Sequence, residues 1–264
     1  MRVAILQIIL GSYEHYWQQF LVSSEKHFCK DCTKHYFVFT NNNKLISNSK
    51  VTYIKQDYLG WPFSTLFRYH MFLRISEKLL LFDSTVFLNA NIKFIKDVTY
   101  KQFFGNKEKK LIAGLHPFFY KNSNLPTEKR KESECYFKNP SIYVQGCING
   151  GNTKEFLEVT KNMRNLIDKD LANGIVAIWH DESYWNLIIN SYYKNKKHKL
   201  NLLSSDYLCT ENNIKNTTKI IQLNKNEDYD FQKKQFDFSL KTLIKFIFIK
   251  LKKFFILKIS FPIK

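Results

Sequence analysis

An α/β fold, with one mixed and mostly parallel sheet flanked by helices, is the fold class that the sequence predicts. Short apolar runs alternate with stretches in which apolar residues recur at helical spacing, which is typical of such folds. The chain is 44% hydrophobic and 16% aromatic, a composition that excludes a disordered chain and indicates a sizeable core. No Gly/Pro/Ser-rich linker divides the 264 residues, so we expect one large domain.

The N-terminal part begins with a predicted strand at residues 3–10, which is apolar enough to be buried on both faces of a sheet. An amphipathic helix is predicted between residues 16 and 28, and further strands are predicted at residues 36–40 and 51–54. Ser64 belongs to a residue type that caps helices. A helix that carries Arg68 is therefore expected to run from Ser64 toward Leu80.

Polar residues interrupt the apolar stretch 79–94 at Asn89-Ala90-Asn91. Ligands of open α/β sheets bind outside the carboxyl ends of strands, so two amides at the end of a buried strand are expected to face a polar ligand. On this motif alone, however, a plain turn is the preferred interpretation, because asparagine favours turn geometries.

A second polar group follows a long predicted helix. Asn152 has the spacing of a capping box with Glu155, and the helix is expected to stop at Asn173-Gly174. Residues 179–183 then combine an aromatic ring, an imidazole and two carboxylates. Such a group suits chemistry on a sugar, because a ring can stack on a pyranose and carboxylates can stabilise an oxocarbenium-like centre. A helix start with solvated acids is the alternative.

The net charge of +18 lies almost entirely in three segments. Residues 101–131 have eight Lys/Arg against two Glu, residues 194–199 have four Lys, and residues 241–264 have seven Lys and no acid. Such a charge can attract three kinds of partner, namely nucleic acid, an anionic membrane surface or an acidic substrate. A nucleic-acid groove usually intermixes basic and aromatic residues along one face, and the sequence does not show this pattern.

The chain is predicted to comprise a domain over residues 1–235 and a basic tail over residues 236–264. The tail alternates Phe, Ile and Leu with Lys and has no acid after Asp237. Its charges exclude a membrane span, and we expect it to anchor the protein peripherally to an anionic membrane surface. A packed or disordered tail is the alternative.

The five cysteines are an odd number and fit free thiols in a reducing compartment better than a disulfide framework. Residues 3–10 lack the cleavage site of a secretion signal, so the chain is expected to stay in the cytoplasm. His27, Cys29, Cys32 and His35 have the residue types of a zinc site. Four ligands within nine residues are crowded, however, and free thiols with scattered histidines are the preferred interpretation.

The patterns GxGxxG, Walker A, GxSxG and HExxH do not occur in the sequence, which argues against dinucleotide oxidoreductases, P-loop enzymes, α/β-hydrolases and zincins. The run from Asp170 to Ser183 resembles glycosyltransferase family 6, the family of the ABO blood-group transferases and the α1,3-galactosyltransferases. Other matches follow in the family's order: Tyr36 to Thr40, Gly60-Trp61 with Arg68, Leu115 to Tyr120, Glu128 with Arg130, and Gly150-Gly151.

The resemblance implies a GT-A fold that binds UDP at the ends of the first strands, with Glu182 as the catalytic residue beneath the anomeric carbon of the donor sugar. The family's pattern places these residues at the UDP-sugar: Ile8, Ile9, Leu10, Tyr13, Trp61, Arg68, Asn89, Ala90, Asn91, Gln145, Gly146, Cys147, Asp181 and Lys225. The Tyr13 ring would stack on the uracil. The acceptor would contact His116, Thr127, Trp179 and His180.

Asn89-Ala90-Asn91 stands where animal members of the family carry Asp-x-Asp. Two amides cannot supply the negative charge that a hard divalent cation needs. The Asn-x-Asn form resembles the bacterial branch, whose members work without metal, so no metal cofactor is expected. Lys225 falls where that branch places a lysine on the diphosphate, whose charge it would offset.

Three further departures concern specificity. Gln145-Gly146-Cys147 resembles the segment of bacterial B-type galactosyltransferases, and Cys147 would fill the space that an acetamido group requires. The loop between His116 and Glu128 is about two residues shorter than in the family, so Thr127 lies only near the position of the acceptor-binding threonine. Tyr207-Leu208 matches a Tyr-Leu pair of the family, but the acid that often follows this pair is missing in residues 209–210.

The preferred function is therefore a retaining transferase that moves galactose from UDP-galactose in α1,3 linkage to a fucosylated galactoside of a bacterial surface glycan. The acceptor would be an oligosaccharide or a glycolipid, on the inner face of the cytoplasmic membrane. UDP-N-acetylgalactosamine is the alternative donor. A basic protein that binds nucleic acid or a membrane surface is the alternative of another class, and a glycoside hydrolase is a weaker third because no second acid is placed as a general-acid partner.

Overall fold

The fold is taken from a computed structural model in which residues 1–119 and 124–224 are described. Met1–Asn224 form one compact unit. The predicted boundary at residue 235, the tail and Lys225 lie outside the described residues. In the described part, no helix combines the length and the apolar character that crossing a bilayer requires.

Strands and helices alternate along the chain as predicted. The strands are β1 (Arg2–Ile8), β2 (Thr33–Thr40), β3 (Val51–Lys55), β4 (Ser84–Leu88), β5 (Ile92–Phe94), β6 (Leu111–Leu115), β7 (Val144–Asn152), β8 (Leu200–Leu203), β9 (Cys209–Thr210) and β10 (Ile220–Gln222). The helices are α1 (Trp17–His27), α2 (Phe63–Leu66), α3 (Arg68–Leu73), α4 (Ser76–Leu79), α5 (Tyr100–Phe104), α6 (Thr153–Ala172) and α7 (Asp181–Asn195).

The main sheet has seven strands in the order β3-β2-β1-β4-β7-β6-β8. Its strand pairs are parallel except at β7, which runs antiparallel to both β4 and β6. The prediction of a mixed, mostly parallel sheet is thus confirmed. Because of these directions, the carboxyl ends of β1, β4 and β6 and the amino end of β7 lie at the same edge, which we call the polar edge.

Two consecutive glycines allow β7 to fit between its neighbours. A Cβ atom at Gly150 would lie 2.5 Å from the carbonyl oxygen of Thr85, and one at Gly151 would lie 2.1 Å from that of Lys110. Both distances are far below van der Waals contact. The Gly150-Gly151 pair is therefore required by the close packing of the sheet.

A second sheet of three strands, in the order β5-β10-β9, was not predicted from the sequence. β10 pairs antiparallel with β5 and parallel with β9. Just beyond β10, the backbone N–H of Leu223 donates to the carbonyl oxygen of Asn91 at 2.8 Å. This sheet therefore brings the chain around residue 223 back to the polar edge.

The predicted single helix from Ser64 toward Leu80 is wrong, because the segment forms three short helices, α2, α3 and α4. Ser64 does not cap a helix: α2 has Pro62 at its N-cap, and the Ser64 hydroxyl accepts a hydrogen bond from the Leu59 N–H. The interruption at Phe67 precedes Arg68, the first residue of α3.

The predicted limits of helix α6 are confirmed. The Asn152 side chain accepts a hydrogen bond from the Glu155 N–H, and Gly174 follows the helix with a φ of 71°. Only glycine and asparagine adopt such a left-handed conformation readily. At the end of the helix the buried Asp170 carboxylate accepts hydrogen bonds from the Tyr184 and Ser133 hydroxyls, which joins α6 to α7.

Two of the three basic segments lie side by side. β6 and β8 pair in parallel, and before them the Lys110 N–H donates to the carbonyl oxygen of Lys199 at 2.7 Å. The Tyr192 and Tyr193 rings of α7 are covered by the ammonium groups of Lys196 and Lys197. Two lysines of the second basic segment thus form cation–π contacts within the described part of the chain.

All five cysteines are free thiols. The four residues of the possible zinc site do not converge, because His27 binds Asp97 at 2.7 Å and His35 binds Thr52 at 2.8 Å. Cys29 and Cys32 lie with Asp31 in the turn after α1. The two histidines therefore have partners other than the thiols, whereas ligand atoms of Cys29, Asp31 and Cys32 lie within 4.8 Å of one another, and the absence of zinc stays a prediction.

Candidate active site

Glu182 lies in the first turn of α7, and its carboxylate is held against the start of β7 at the polar edge. Oε2 accepts a hydrogen bond from the Gly146 N–H at 2.6 Å, and Oε1 accepts one from the Tyr143 hydroxyl at 2.5 Å. A Cβ atom at position 146 would come within 3.0 Å of Oε2. Glycine at this position therefore lets the carboxylate approach the strand backbone.

Arg68 and Asp181 form a buried ion pair next to Glu182. Arg68 Nη1 lies 3.0 Å from Asp181 Oδ2, and the two side chains are 7% and 2% exposed. Arg68 Nη1 also donates to the Gly146 carbonyl at 2.7 Å, and its guanidinium lies over the Phe87 ring. Burial raises the pKa of Asp181, and the Arg68 charge opposes that rise.

Asn89, Ala90 and Asn91 follow β4 directly, so they lie at the carboxyl end of a buried strand as predicted. The Asn89 amide donates to Asn91 Oδ1 at 3.0 Å, and the Asn91 amide donates to the Leu223 carbonyl at 2.8 Å. The Asn89 backbone N–H donates to the Cys147 carbonyl. The segment thus joins the Gln145-Gly146-Cys147 strand, and Asn91 and Ala90 are buried.

Gln145 and Cys147 flank Gly146 and have different surroundings. The Gln145 amide group is buried and donates to the Leu115 and Leu208 carbonyls. These two bonds tie β7 to the end of β6 and to the residue before β9. Cys147 is half-buried, and the Gln222 amide lies 3.5 Å from its sulfur.

The residues predicted to hold uracil follow β1. Ile9 and Leu10 are buried, whereas Ile8 and Tyr13 are partly exposed. The Ile9 N–H donates to the Phe39 carbonyl at 2.9 Å, which ties this segment to the end of β2. The Tyr13 ring lies 6.0 Å from the Tyr16 ring.

Three of the predicted acceptor residues, His116, Trp179 and His180, adjoin the polar edge. His116 follows β6, and its ring lies 5.7 Å from the Tyr143 ring. Trp179 is 47% exposed, and the His180 ring packs edge-on against Trp61, which is 54% exposed. Thr127 is buried. Burial lowers the pKa of both His116 and His180 to about 4, so both imidazoles are neutral at pH 7.

His180 has a φ of 50° and a ψ of −125°, a conformation that strains any residue with a Cβ atom. It directly precedes the ion-paired Asp181 and Glu182. The turn that starts α7 is therefore held by its surroundings, with hydrogen bonds from the His180 N–H to Ala177 and from the Glu182 N–H to Trp179.

Comparison with known proteins identifies the family of the chain that forms this site. Residues 1–236 match the profile described as "Glycosyltransferase family 6". The chain belongs to glycosyltransferase family 6. It is 33% identical to the "O-antigen biosynthesis glycosyltransferase WbnI" of Escherichia coli over 202 residues, which cover 74% of this chain and 84% of that protein.

Animal relatives of this family 6 glycosyltransferase are more distant. The "Globoside alpha-1,3-N-acetylgalactosaminyltransferase 1" of Gallus gallus is 28% identical over 230 residues, which cover 79% of this chain and 62% of that protein. The "Histo-blood group ABO system transferase 2" of Rattus norvegicus is 26% identical over 218 residues, which cover 78% of this chain and 63% of that protein. The chain spans about three fifths of the length of these two animal proteins.

The family 6 sequence pattern located Glu182, Arg68 and Asp181, and the structure brings these three side chains together at the polar edge. It did not single out Tyr143, although this residue contacts Glu182 directly. A tyrosine two residues before Gln145 gives no signal in one sequence, because buried tyrosines are common in strands. Contacts with donor and acceptor remain predictions for all the site residues, including Lys225, which lies outside the described residues.

Glu128 was noted only as part of a family motif, and the structure gives it a supporting role. Its buried carboxylate accepts hydrogen bonds from the Arg130 guanidinium and from the Ile178 N–H at 2.9 Å. Arg130 in turn donates to the Val176 carbonyl. The pair therefore fixes the segment that leads into Trp179 and His180.

Glu128→Gln is expected to reduce the loss of stability in acid. Burial alone would raise the pKa of Glu128, but hydrogen bonds from Arg130 and backbone N–H groups lower it to about 2, below its ordinary value of 4.5. The carboxylate therefore stabilises the fold fully above pH 4.5, and this contribution is lost as the pH falls toward 2. The free energy of unfolding in urea, measured at pH 7 and at pH 3, should fall less in the variant; an equal fall would contradict the prediction.

Proposed function

We propose that the protein transfers galactose from UDP-galactose, with retention of configuration, in α1,3 linkage to a fucosylated galactoside. The observation that carries the proposal is the Glu182 carboxylate, held between the Tyr143 hydroxyl and the Gly146 N–H beside the buried Arg68–Asp181 pair. A fixed carboxylate is the group that a developing positive charge at an anomeric carbon requires.

In the proposed reaction the bond from the anomeric carbon to the UDP oxygen breaks, and a bond to the acceptor oxygen forms on the same face of the sugar. The diphosphate leaves with the electron pair of the broken bond, and the proton of the acceptor hydroxyl passes to a phosphate oxygen of the departing UDP. Glu182 acts either as a nucleophile in a double displacement or as a stabiliser of the oxocarbenium-like centre. Both roles need its carboxylate in the ionised form.

Galactose is proposed over N-acetylgalactosamine because the Cys147 side chain, whose sulfur the Gln222 amide contacts at 3.5 Å, would fill the space that an acetamido group requires. UDP-N-acetylgalactosamine is the alternative donor, because two of the related proteins, from Gallus gallus and Homo sapiens, are N-acetylgalactosaminyltransferases by name.

UDP release from a panel of UDP-sugars, with a fucosyl-galactose acceptor, tests the proposal. A higher kcat/KM with UDP-N-acetylgalactosamine would reverse the donor assignment. Salt-sensitive DNA binding without turnover of any UDP-sugar would favour the basic binding protein instead.

Activity is expected to persist in EDTA. The Asn89 and Asn91 amides bring no negative charge, and Asn91 uses its side chain in bonds to Asn89 and Leu223, so this segment is a poor site for Mg²⁺ or Mn²⁺. In this proposal Lys225 offsets the charge of the leaving diphosphate in place of a metal. Initial rates before and after chelation check this, and loss of turnover that manganese restores would contradict it.

We further propose a surface glycan as the setting, since the Escherichia coli relative is an O-antigen biosynthesis enzyme by name. The acceptor would then be carried at the inner face of the cytoplasmic membrane. The seven lysines of residues 241–264 are proposed to hold the protein to that anionic surface.

A further inference from the structure

The Tyr143 side chain contacts both His116, one of the predicted acceptor residues, and the Glu182 carboxylate. Tyr143 is 2% exposed and immediately precedes β7. Its ring has His116 at 5.7 Å and Phe119 edge-on at 5.9 Å. The His116 N–H donates to the Tyr143 carbonyl at 3.0 Å. Packing on these sides fixes the direction in which the phenol hydroxyl points.

That hydroxyl donates to Glu182 Oε1, while the Gly146 N–H donates to Oε2. The two donors come from one short stretch of chain and bind different oxygens of the same carboxylate. A carboxylate held at both oxygens cannot rotate about its last bond without breaking a charge-assisted hydrogen bond. Its plane and its distance from the strand are therefore set by Tyr143 and Gly146 together.

We propose that Tyr143 is a positioning residue for Glu182, which it holds aligned and ionised for transfer. The inference rests on the function proposed above. Tyr143 does not need to touch either substrate for this role. It acts by donating a proton in a hydrogen bond that only the charged carboxylate accepts strongly, which favours the ionised form of Glu182.

Several charged or titratable groups surround this pair, and they do not replace Tyr143. Asp181 and His180 adjoin Glu182 on α7 and its preceding turn, Arg68 and Tyr69 approach from α3, and His116 follows β6. Arg68 is engaged with Asp181 at 3.0 Å. Burial and the Glu182 charge raise the pKa of Tyr143 far above its ordinary value, so the phenol is protonated at pH 7 and can donate.

The chain contains a matched pair of residues that serves as a control. The Tyr192 hydroxyl donates to Glu155 Oε1, and Glu155 lies in the first turn of α6 as Glu182 lies in the first turn of α7. Tyr192→Phe therefore removes the same kind of bond, from a tyrosine to a glutamate at a helix start. Glu155 adjoins β7 at its far end, away from the polar edge.

The test compares Tyr143→Phe with Tyr192→Phe in the full-length chain, by the rate of sugar transfer, KM for the donor, the pH profile of kcat and thermal stability. We expect kcat of Tyr143→Phe to fall on the order of tenfold at pH 7 with KM little changed. The acid limb of its kcat profile should move up by about one pH unit, because the ionised carboxylate has lost a donor. Tyr192→Phe should change stability alone.

Equal kcat values and equal acid limbs for wild type and Tyr143→Phe would overturn the inference. A loss of activity that follows only the fraction of unfolded protein, as judged from the two thermal curves, would also overturn it. Failure of the proposed function is a separate result: the wild type itself would then transfer no sugar, whatever the residue at position 143.

Discussion

Replacing Glu182 by glutamine is expected to lower kcat by about a hundredfold to a thousandfold, with donor affinity little changed. Glutamine keeps the shape of the side chain, and its amide oxygen can still accept the hydrogen bond from the Gly146 N–H or from Tyr143. It cannot supply the negative charge that the transition state requires. An interaction made mainly in the transition state affects kcat and leaves ground-state binding largely intact.

A role limited to the start of α7 is the competing explanation for Glu182, because acids are favourable in the first turn of a helix. Glu155→Gln is the matched control, since Glu155 occupies the first turn of α6 and also accepts a bond from a tyrosine. Both variants should lose a similar, small amount of stability. Measurement of kcat, of UDP affinity and of the melting temperature for each variant separates the two roles.

Near-normal turnover in Glu182→Gln would remove Glu182 from the catalytic centre. Loss of activity in both variants to the same extent would assign the effect to helix stability. Chemical rescue offers a further check: a smaller variant such as Glu182→Ala should recover some turnover when a small carboxylate such as formate is added, if a charge at that position is what the reaction needs.

Arg68→Met is expected to destabilise the protein by about 3–5 kcal/mol, because it leaves Asp181 buried without its partner. The Arg68 and Asp181 side chains are 7% and 2% exposed and 3.0 Å apart. Asp181→Asn in the same chain removes the uncompensated charge and should recover much of the loss. The double-mutant cycle, read from urea unfolding at pH 7, isolates the coupling between the two side chains.

An exposed ion pair provides the comparison for this cycle. Lys30 and Asp97 lie 2.6 Å apart, yet their side chains are 56% and 57% exposed. Solvent and salt screen such a pair, so its coupling should be far smaller than that of Arg68 and Asp181. A buried pair whose coupling is no larger than that of the exposed pair would contradict the prediction.

Much of the fold was predictable because its signals are local. Buried strands are apolar along their whole length, and β1, β2 and β3 appear close to their predicted positions. The Asn152 cap and the Gly174 stop also depend on a few neighbouring residues. The helix predicted from Ser64 failed because its apolar spacing continues across Phe67, while the chain bends there to place Arg68 next to Asp181.

The sequence by itself determined the α/β class, the family resemblance and the identity of the candidate catalytic carboxylate, because these depend on composition, periodicity and short motifs. Tertiary structure alone decided what holds that carboxylate. Tyr143 and Gly146 are 39 and 36 residues away from Glu182 in sequence, and the packing of α7 against β7, with hydrogen bonds between Asn186 and the Val144 backbone, brings them to the start of α7. Contacts between segments so far apart depend on strand order and direction, which no local pattern in one sequence encodes.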